Sequence, residues 1–261
     1  MKPLRILAAG SAVLAALAAA SAKSAPASRP AADAAVKASD PNDLRDATTP
    51  CPRRDEGWLF LHKQFVARAR QGGVDVLFVG DSIVHGWTGA GKAVWKQEYE
   101  PLKAACFGIP ADMTQFVLWR LANGELDGIA PKVVVLMIGT NNLKSGPTRM
   151  APSDAVAGVA AVVRLLREKL PAAKVLLLGI LHRQPQYPWM AETVRKANAL
   201  VAKLADGRNV RFLDFSGQFL RADETIDPSL FNRDLLHPNA KGYAKWAEAM
   251  RGALGEMLKP S

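Results

Sequence analysis

Three short stretches of this 261-residue chain hold residue types able to move protons and attack an acyl carbon. The first is Gly80-Asp81-Ser82, directly after the apolar run Val76-Leu77-Phe78-Val79. A serine just past a buried strand, preceded by glycine, can project its hydroxyl from a tight strand-to-helix turn. Its backbone N–H then points into the same cleft. The same tripeptide also reads as plain turn chemistry that caps the next helix. The second stretch is Asp234-Leu235-Leu236-His237-Pro238. Aspartate and histidine three residues apart on a turn can share a carboxylate to ring N–H hydrogen bond. That bond sets the imidazole tautomer and leaves the other nitrogen to take a proton from serine. The alternative is an Asp234 that caps a turn and a His237 on the surface. The third stretch is Gly139-Thr140-Asn141-Asn142, where the Asn141 amide can donate to an oxyanion. A companion run, Phe107-Gly108-Ile109-Pro110-Ala111-Asp112, offers backbone N–H groups at a helix start, where negative charge is favoured.

These stretches must be carried by regular elements. Apolar runs at 74–79, 104–107, 132–138, 174–180 and 209–214 lack strict alternation, as strands covered on both faces do. Between and around them, 58–71, 113–123, 153–170, 191–205 and 239–258 have helical periodicity, with Ser153 as a cap and Pro171 as a stop. The alternation predicts an α/β fold: a three-layer α/β/α sandwich, flavodoxin-like, with a central parallel sheet of about five strands. Right-handed crossovers gather the loops after the strands along one edge, and ligands bind beyond the carboxyl ends of such strands. All of the stretches above fall on those loops.

Taken together, Gly80-Asp81-Ser82, Gly139-Thr140-Asn141 and Asp234-x-x-His237 resemble, in order and position, the blocks of the G-D-S-type SGNH hydrolase superfamily. Within it the chain is most similar to the catalytic subunits of intracellular platelet-activating-factor acetylhydrolase. The runs Phe107-Gly108-Ile109, Val117-Leu118-Trp119-Arg120-Leu121, Asn123-Gly124-Glu125-Leu126 and Gly139-Thr140-Asn141-Asn142 carry that likeness, which covers about 74–258. The resemblance implies hydrolysis of short acyl esters without a metal or other cofactor. It implies Ser82 as nucleophile, His237 as general base and Asp234 as its orienting acid. The oxyanion donors would be the Asn141 side chain and the N–H groups of Ser82 and Ala111. The family usually has glycine immediately before the aspartate of its second block, and here Ala111 stands there. Its N–H can donate at negative φ; if the loop demands positive φ, Ala111 is strained. Gly108 is expected to serve packing. Asp81, His85, Trp87, Asp112 and Asn142 adjoin these blocks and are candidate pocket residues.

The remaining composition bounds the setting. Lys2 and Arg5, the apolar stretch 6–20 and Ala20-Ser21-Ala22 read as a signal peptide over 1–22 with a small-x-small cleavage site. The stretch is shorter than the ~20 apolar residues of a spanning helix, so no transmembrane anchor is expected after cleavage. Residues 23–52 are rich in Ala, Pro, Ser and Asp and read as a linker or arm, with the catalytic domain over 53–261. The net charge of +10 is scattered through expected helices and turns rather than gathered in one stripe, so no nucleic-acid partner is expected. Cys51 and Cys106 do not make a disulfide framework. His62, His85 and His182 lack metal-ligand spacing. Gly86-Trp87-Thr88-Gly89-Ala90-Gly91-Lys92-Ala93 approaches a phosphate-binding loop but has Ala93 where magnesium needs Ser or Thr. The reading is an exported serine esterase, periplasmic or extracellular, acting on a small-molecule or glycan acyl ester. An acyltransferase to a sugar hydroxyl and a non-catalytic carbohydrate-binding protein on the same scaffold are the alternatives.

Overall fold

A computed structural model describes residues 46–144, 149–183 and 187–259 of the protein. The expected signal segment and most of the 23–52 arm lie outside the described residues. Among the described residues five strands, β1 (Val76–Gly80), β2 (Ala104–Gly108), β3 (Val133–Met137), β4 (Lys174–Leu178) and β5 (Val210–Leu213), form one sheet in the order β2-β1-β3-β4-β5. Every neighbouring pair is parallel. This is the expected flavodoxin-like order, with its switch point between β1 and β3. All residues of β1 and β3 are buried, which explains why their sequences run apolar without alternation.

Among the described residues seven α-helices cover the sheet: α1 (Glu56–Arg70), α2 (Ser82–His85), α3 (Lys92–Glu98), α4 (Thr114–Arg120), α5 (Pro152–Lys169), α6 (Pro188–Val201) and α7 (Ala240–Leu258). Alternate strand residues face two separate cores. Leu77, Val79, Val134, Leu136, Val175 and Leu177 pack beneath Val117, Val159, Val162 and Val194 of α4, α5 and α6. Phe78, Val135, Met137 and Leu176 face Trp87, Tyr99, Tyr243, Trp246 and Met250 on the other side.

Three expectations need correction. The packed unit begins before Arg53: Ala47 is buried, its carbonyl accepts from the Thr114 hydroxyl at 2.8 Å, and the Cys51 N–H donates to the Gln115 carbonyl. Ala47 lies against Gly158 of α5, a contact no local composition could reveal. Second, the N-cap of α5 is Ala151, not Ser153. Pro152 takes the first helical position, where its fixed φ is favoured, and Ser153 sits inside the first turn. Third, α4 ends at Arg120 rather than running regularly to Asn123, because Asn123 and Gly124 (φ 104°) leave helical geometry in the turn Leu121–Glu125.

Candidate active site

The carboxyl ends of β1, β2 and β3 are level, with Gly80 opposite both Gly108 and Met137. Two glycines let the loops beyond them converge. A Cβ at Gly80 would collide with the Met137 carbonyl oxygen, and one at Gly108 would strike the backbone of Asp81 and His85. Past Gly80 the chain turns at once into α2. The Asp81 carboxylate caps this helix by accepting from the Ile83 N–H at 2.9 Å, and Ser82 is its first residue. Ser82 therefore projects its half-buried hydroxyl from the edge, with an N–H that has no partner in its own helix.

His237 arrives from the far end of the chain. Its Nε2 lies 2.9 Å from Ser82 Oγ, and its Nδ1 lies 2.5 Å from Asp234 Oδ2. The other Asp234 oxygen accepts from the N–H groups of Leu236 and His237 at 3.0 Å each. Leu235, at φ 49°, curls the chain so that this can happen three residues apart. The loop is closed by the Asn232 N–H on the His237 carbonyl and a bridge between Phe231 and Pro238. Burial alone would raise the Asp234 pKa. The bonds from the His237 ring and the two N–H groups outweigh it, so the carboxyl stays below its usual value and is ionised at neutral pH. A hydroxyl, an imidazole and an ionised carboxylate in this chain can pass a proton from oxygen to nitrogen while the carboxylate stabilises the imidazolium.

The expected oxyanion donors stand on the neighbouring loops. Asn141, 9% exposed, gives one Nδ2 hydrogen to the Asp112 carbonyl at 2.9 Å, which orients the second. The Ala111 N–H has no acceptor among the described residues, and Ala111 itself is exposed. Its φ is 64°, so the loop does impose the left-handed geometry that favours glycine, and the alanine is strained there. Gly108 packs against the backbone of Asp81 and His85 too closely for any side chain.

Other candidates are placed elsewhere. Trp87 is fully buried among Phe78, Tyr99, Tyr243 and Trp246 rather than lining a pocket. Asn142 is also fully buried; it binds Thr114 and Gln115 and ties the third loop to α4. Asp112 lies under the second loop, accepting from Trp58 Nε1 and Arg120 Nε at 2.8 Å each. Asp81 is 1% exposed, its Oδ2 has no partner among the described residues, and burial pushes it up to about 7. In each case a polar or aromatic side chain next to the motif turns inward because an interior partner or core claims it. His85 remains half-buried, its Nδ1 on the Gly108 carbonyl at 3.0 Å.

Two arginines to which the sequence assigns no role support the site. Arg120, fully buried, joins Asp112 to Glu125 and donates to the carbonyls of Gly80 and Phe107 at 3.0 and 2.8 Å, bracing the ends of β1 and β2. Glu125 in turn meets His62 Nδ1 at 2.9 Å. Arg183, beyond β4, holds the carbonyl and hydroxyl of Thr140 at 3.1 and 3.0 Å. The signal for Arg120 is that it is the one charged residue of α4; for Arg183 it is the loop beyond a buried strand.

This fold and this constellation are those of an ester hydrolase. The model of the GDSL-like Lipase/Acylhydrolase family matches residues 78–245. The chain is 38% identical over 221 residues to the platelet-activating factor acetylhydrolase IB subunit alpha1 of Bos taurus, covering 83% of this chain and 92% of that one. To the alpha2 subunit of Homo sapiens it is 36% identical over 207 residues, covering 78% and 86%. Among solved structures, a GDSL-like lipase from Bacteroides thetaiotaomicron superposes with a TM-score of 0.58 at 19% identity, covering 75% and 97%. A variant of an acetylxylan esterase from Geobacillus stearothermophilus gives 0.57 at 19%, covering 73% and 98%. These last two likenesses are of fold. The chain belongs to the GDSL-like lipase/acylhydrolase family. It is a carboxylic ester hydrolase, similar to the platelet-activating factor acetylhydrolase subunits.

Proposed function

We propose that the protein is an exported serine esterase that cleaves short acyl esters, acetyl esters first among them, through an acyl-enzyme on Ser82. The observation that carries this is the 2.9 Å contact between Ser82 Oγ and His237 Nε2, continued to Asp234. His237 takes the serine proton as Oγ attacks the ester carbonyl. Charge develops on the carbonyl oxygen and meets the N–H groups of Ser82, Ala111 and Asn141. His237 then protonates the departing alkoxide, and water releases the acyl group by the reverse sequence. The acetyl preference is supported by the names of the similar proteins, acetylhydrolase subunits. Export is supported by the basic, apolar, small-residue order of the first 22 positions. Among the described residues no helix is long and apolar enough to cross a membrane.

The test is a panel of p-nitrophenyl esters from acetyl to octanoyl, with wild type, Ser82→Ala and Asn141→Ala. Ser82→Ala should lower kcat by about 10⁶ and Asn141→Ala by about 10²–10³. Turnover that survives in Ser82→Ala overturns the assignment, and a maximum at octanoyl overturns the short-acyl reading. The mature N-terminus of protein recovered outside the cytoplasm, read by mass spectrometry, tests export.

A further inference from the structure

The loops beyond β4 and β5 enclose a pocket of about 160 Å³, walled by His182, Arg183, Tyr187, Leu220, Glu224 and Ile226. Its place follows from the sheet order. The acyl carbon is attacked over β1, and the oxyanion donors lie on the loops after β1, β2 and β3. The loops after β4 and β5 are left for another part of the substrate. Arg183 joins the two regions: it grips Thr140, the residue before Asn141, and its charge is felt by Asp81 and Asp234. The pocket therefore lies on the β4–β5 side of the proposed reacting groups, opposite the β2 loop that carries Ala111, with Arg183 as the link between them.

Its chemistry is of mixed sign. On one wall stands Arg183, only 5% exposed, whose Nε is buried without a hydrogen-bond partner among the described residues. Such an orphan donor is costly, and a ligand oxygen nearby would relieve it. On the other wall Glu224 is exposed at φ 62°, a left-handed conformation strained for glutamate. A tight turn fixes it there: the Arg221 N–H donates to the Thr225 carbonyl, the Glu224 N–H to the Arg221 carbonyl, and Leu220 bridges Ile226. Burial lowers the pKa of His182, so at neutral pH its imidazole both donates and accepts. The floor, Leu220 and Ile226, is apolar, and the Tyr187 ring adds a flat wall.

The geometry points to this pocket as the alcohol-side subsite of the esterase, holding one sugar ring whose hydroxyls bond between Arg183 and Glu224. A cavity of ~150 Å³ takes one benzene-sized ring. A sugar ring presents C–H faces to the aromatic and apolar walls and hydroxyls that donate to Glu224 and accept from Arg183. An alkyl tail would leave the buried Arg183 Nε without an acceptor, and a phosphate dianion would face Glu224. The inference rests on the esterase reading, because it assigns the group that leaves when Ser82 is acylated.

The experiment compares kcat/KM on p-nitrophenyl acetate, a mono-O-acetylated methyl xylopyranoside and acetylated glycerophosphocholine. The proteins are wild type, Glu224→Gln and Ala191→Phe; Ala191 lines the pocket and the larger ring fills it without altering charge. Each variant should lose about tenfold more on the glycoside than on p-nitrophenyl acetate, mainly through KM, since a polar site loses most for the partner it was built to bond. Titration of unacetylated methyl xyloside into Ser82→Ala, followed by NMR, should show binding that Ala191→Phe abolishes. Parallel losses on all esters, or selective loss on the phosphocholine ester, overturn the sugar subsite. Hydrolysis of p-nitrophenyl acetate without hydrolysis of the glycoside sinks the subsite alone; failure on every ester sinks the esterase reading beneath it.

Discussion

The Tyr243 hydroxyl donates to the Ile83 carbonyl across 2.6 Å. Tyr243 lies on α7, the helix that follows His237, and Ile83 on α2, the helix that begins with Ser82. The bond thus ties together the two chain segments that carry the proposed base and nucleophile. Gly86 and Gly91 leave the space the ring occupies, for a Cβ on either would run into it.

Tyr243→Phe keeps the ring and removes the bond, leaving the Ile83 carbonyl buried and unpaired. The cost should be about 1–2 kcal/mol in stability. A small displacement of Ser82 relative to His237 should also lower kcat about two- to tenfold with little change in KM. Urea unfolding and steady-state kinetics on p-nitrophenyl acetate measure both; unchanged kcat with lowered stability would make the bond purely structural.

Ala111 sits at φ 64°, where the family's usual glycine is unstrained. Ala111→Gly releases left-handed strain of about 1–2 kcal/mol and loses about 0.5–1 kcal/mol to the freer unfolded chain. A net gain of up to about 1 kcal/mol is expected, with kcat no lower than wild type because the donor is a backbone N–H. A fall in the urea midpoint would contradict the strain argument.

Asp81 stands near 7 in the fold against 3.8 for an ordinary aspartate, chiefly through burial; Asp112 adds to the rise, while the Ile83 N–H, Arg183 and His237 oppose it. As pH rises from 4 to 7 the unfolded chain loses this proton before the folded one does. Stability therefore falls across that window and levels off above it. Asp112, which burial lifts to about 6 against the pull of Arg120 and Trp58, contributes with the same sign up to pH 6. Asp81→Asn retains an acceptor for the Ile83 N–H and should flatten the slope between pH 6 and 7. It should also raise stability at pH 8 by an amount on the order of 1–4 kcal/mol. Urea titrations at several pH values decide it; an unaltered slope would mean that Asp81 ionises normally.

Arg120→Met leaves Asp112 and Glu125 buried without their cation and should cost about 3–5 kcal/mol. The ends of β1 and β2 lose their brace at the Gly80 and Phe107 carbonyls, so surviving protein should show reduced kcat. The double variant Arg120→Met, Asp112→Asn should recover part of the stability, as one stranded charge is gone.

The strands are legible in the sequence alone, because a run such as Val133 to Met137 is apolar at every position only when both faces are covered. The order of the motif blocks, and their place after strands, was equally plain in the chain. Helices α2 and α3 were not, since four and seven residues are too few for a periodicity to show.

Side-chain direction depends on tertiary structure. Asp81 and Ser82 are neighbours in sequence, yet one turns into the core to cap a helix and the other out toward His237, 155 residues away. Nothing local told Trp87 or Asn142 to face inward, or marked Arg120 and Arg183 as supports, because a buried polar group is stable only beside partners that folding brings from distant elements. Residue types and their order determine which chemistry is possible here. Whether those groups meet, and which of their neighbours merely hold them, is decided by packing.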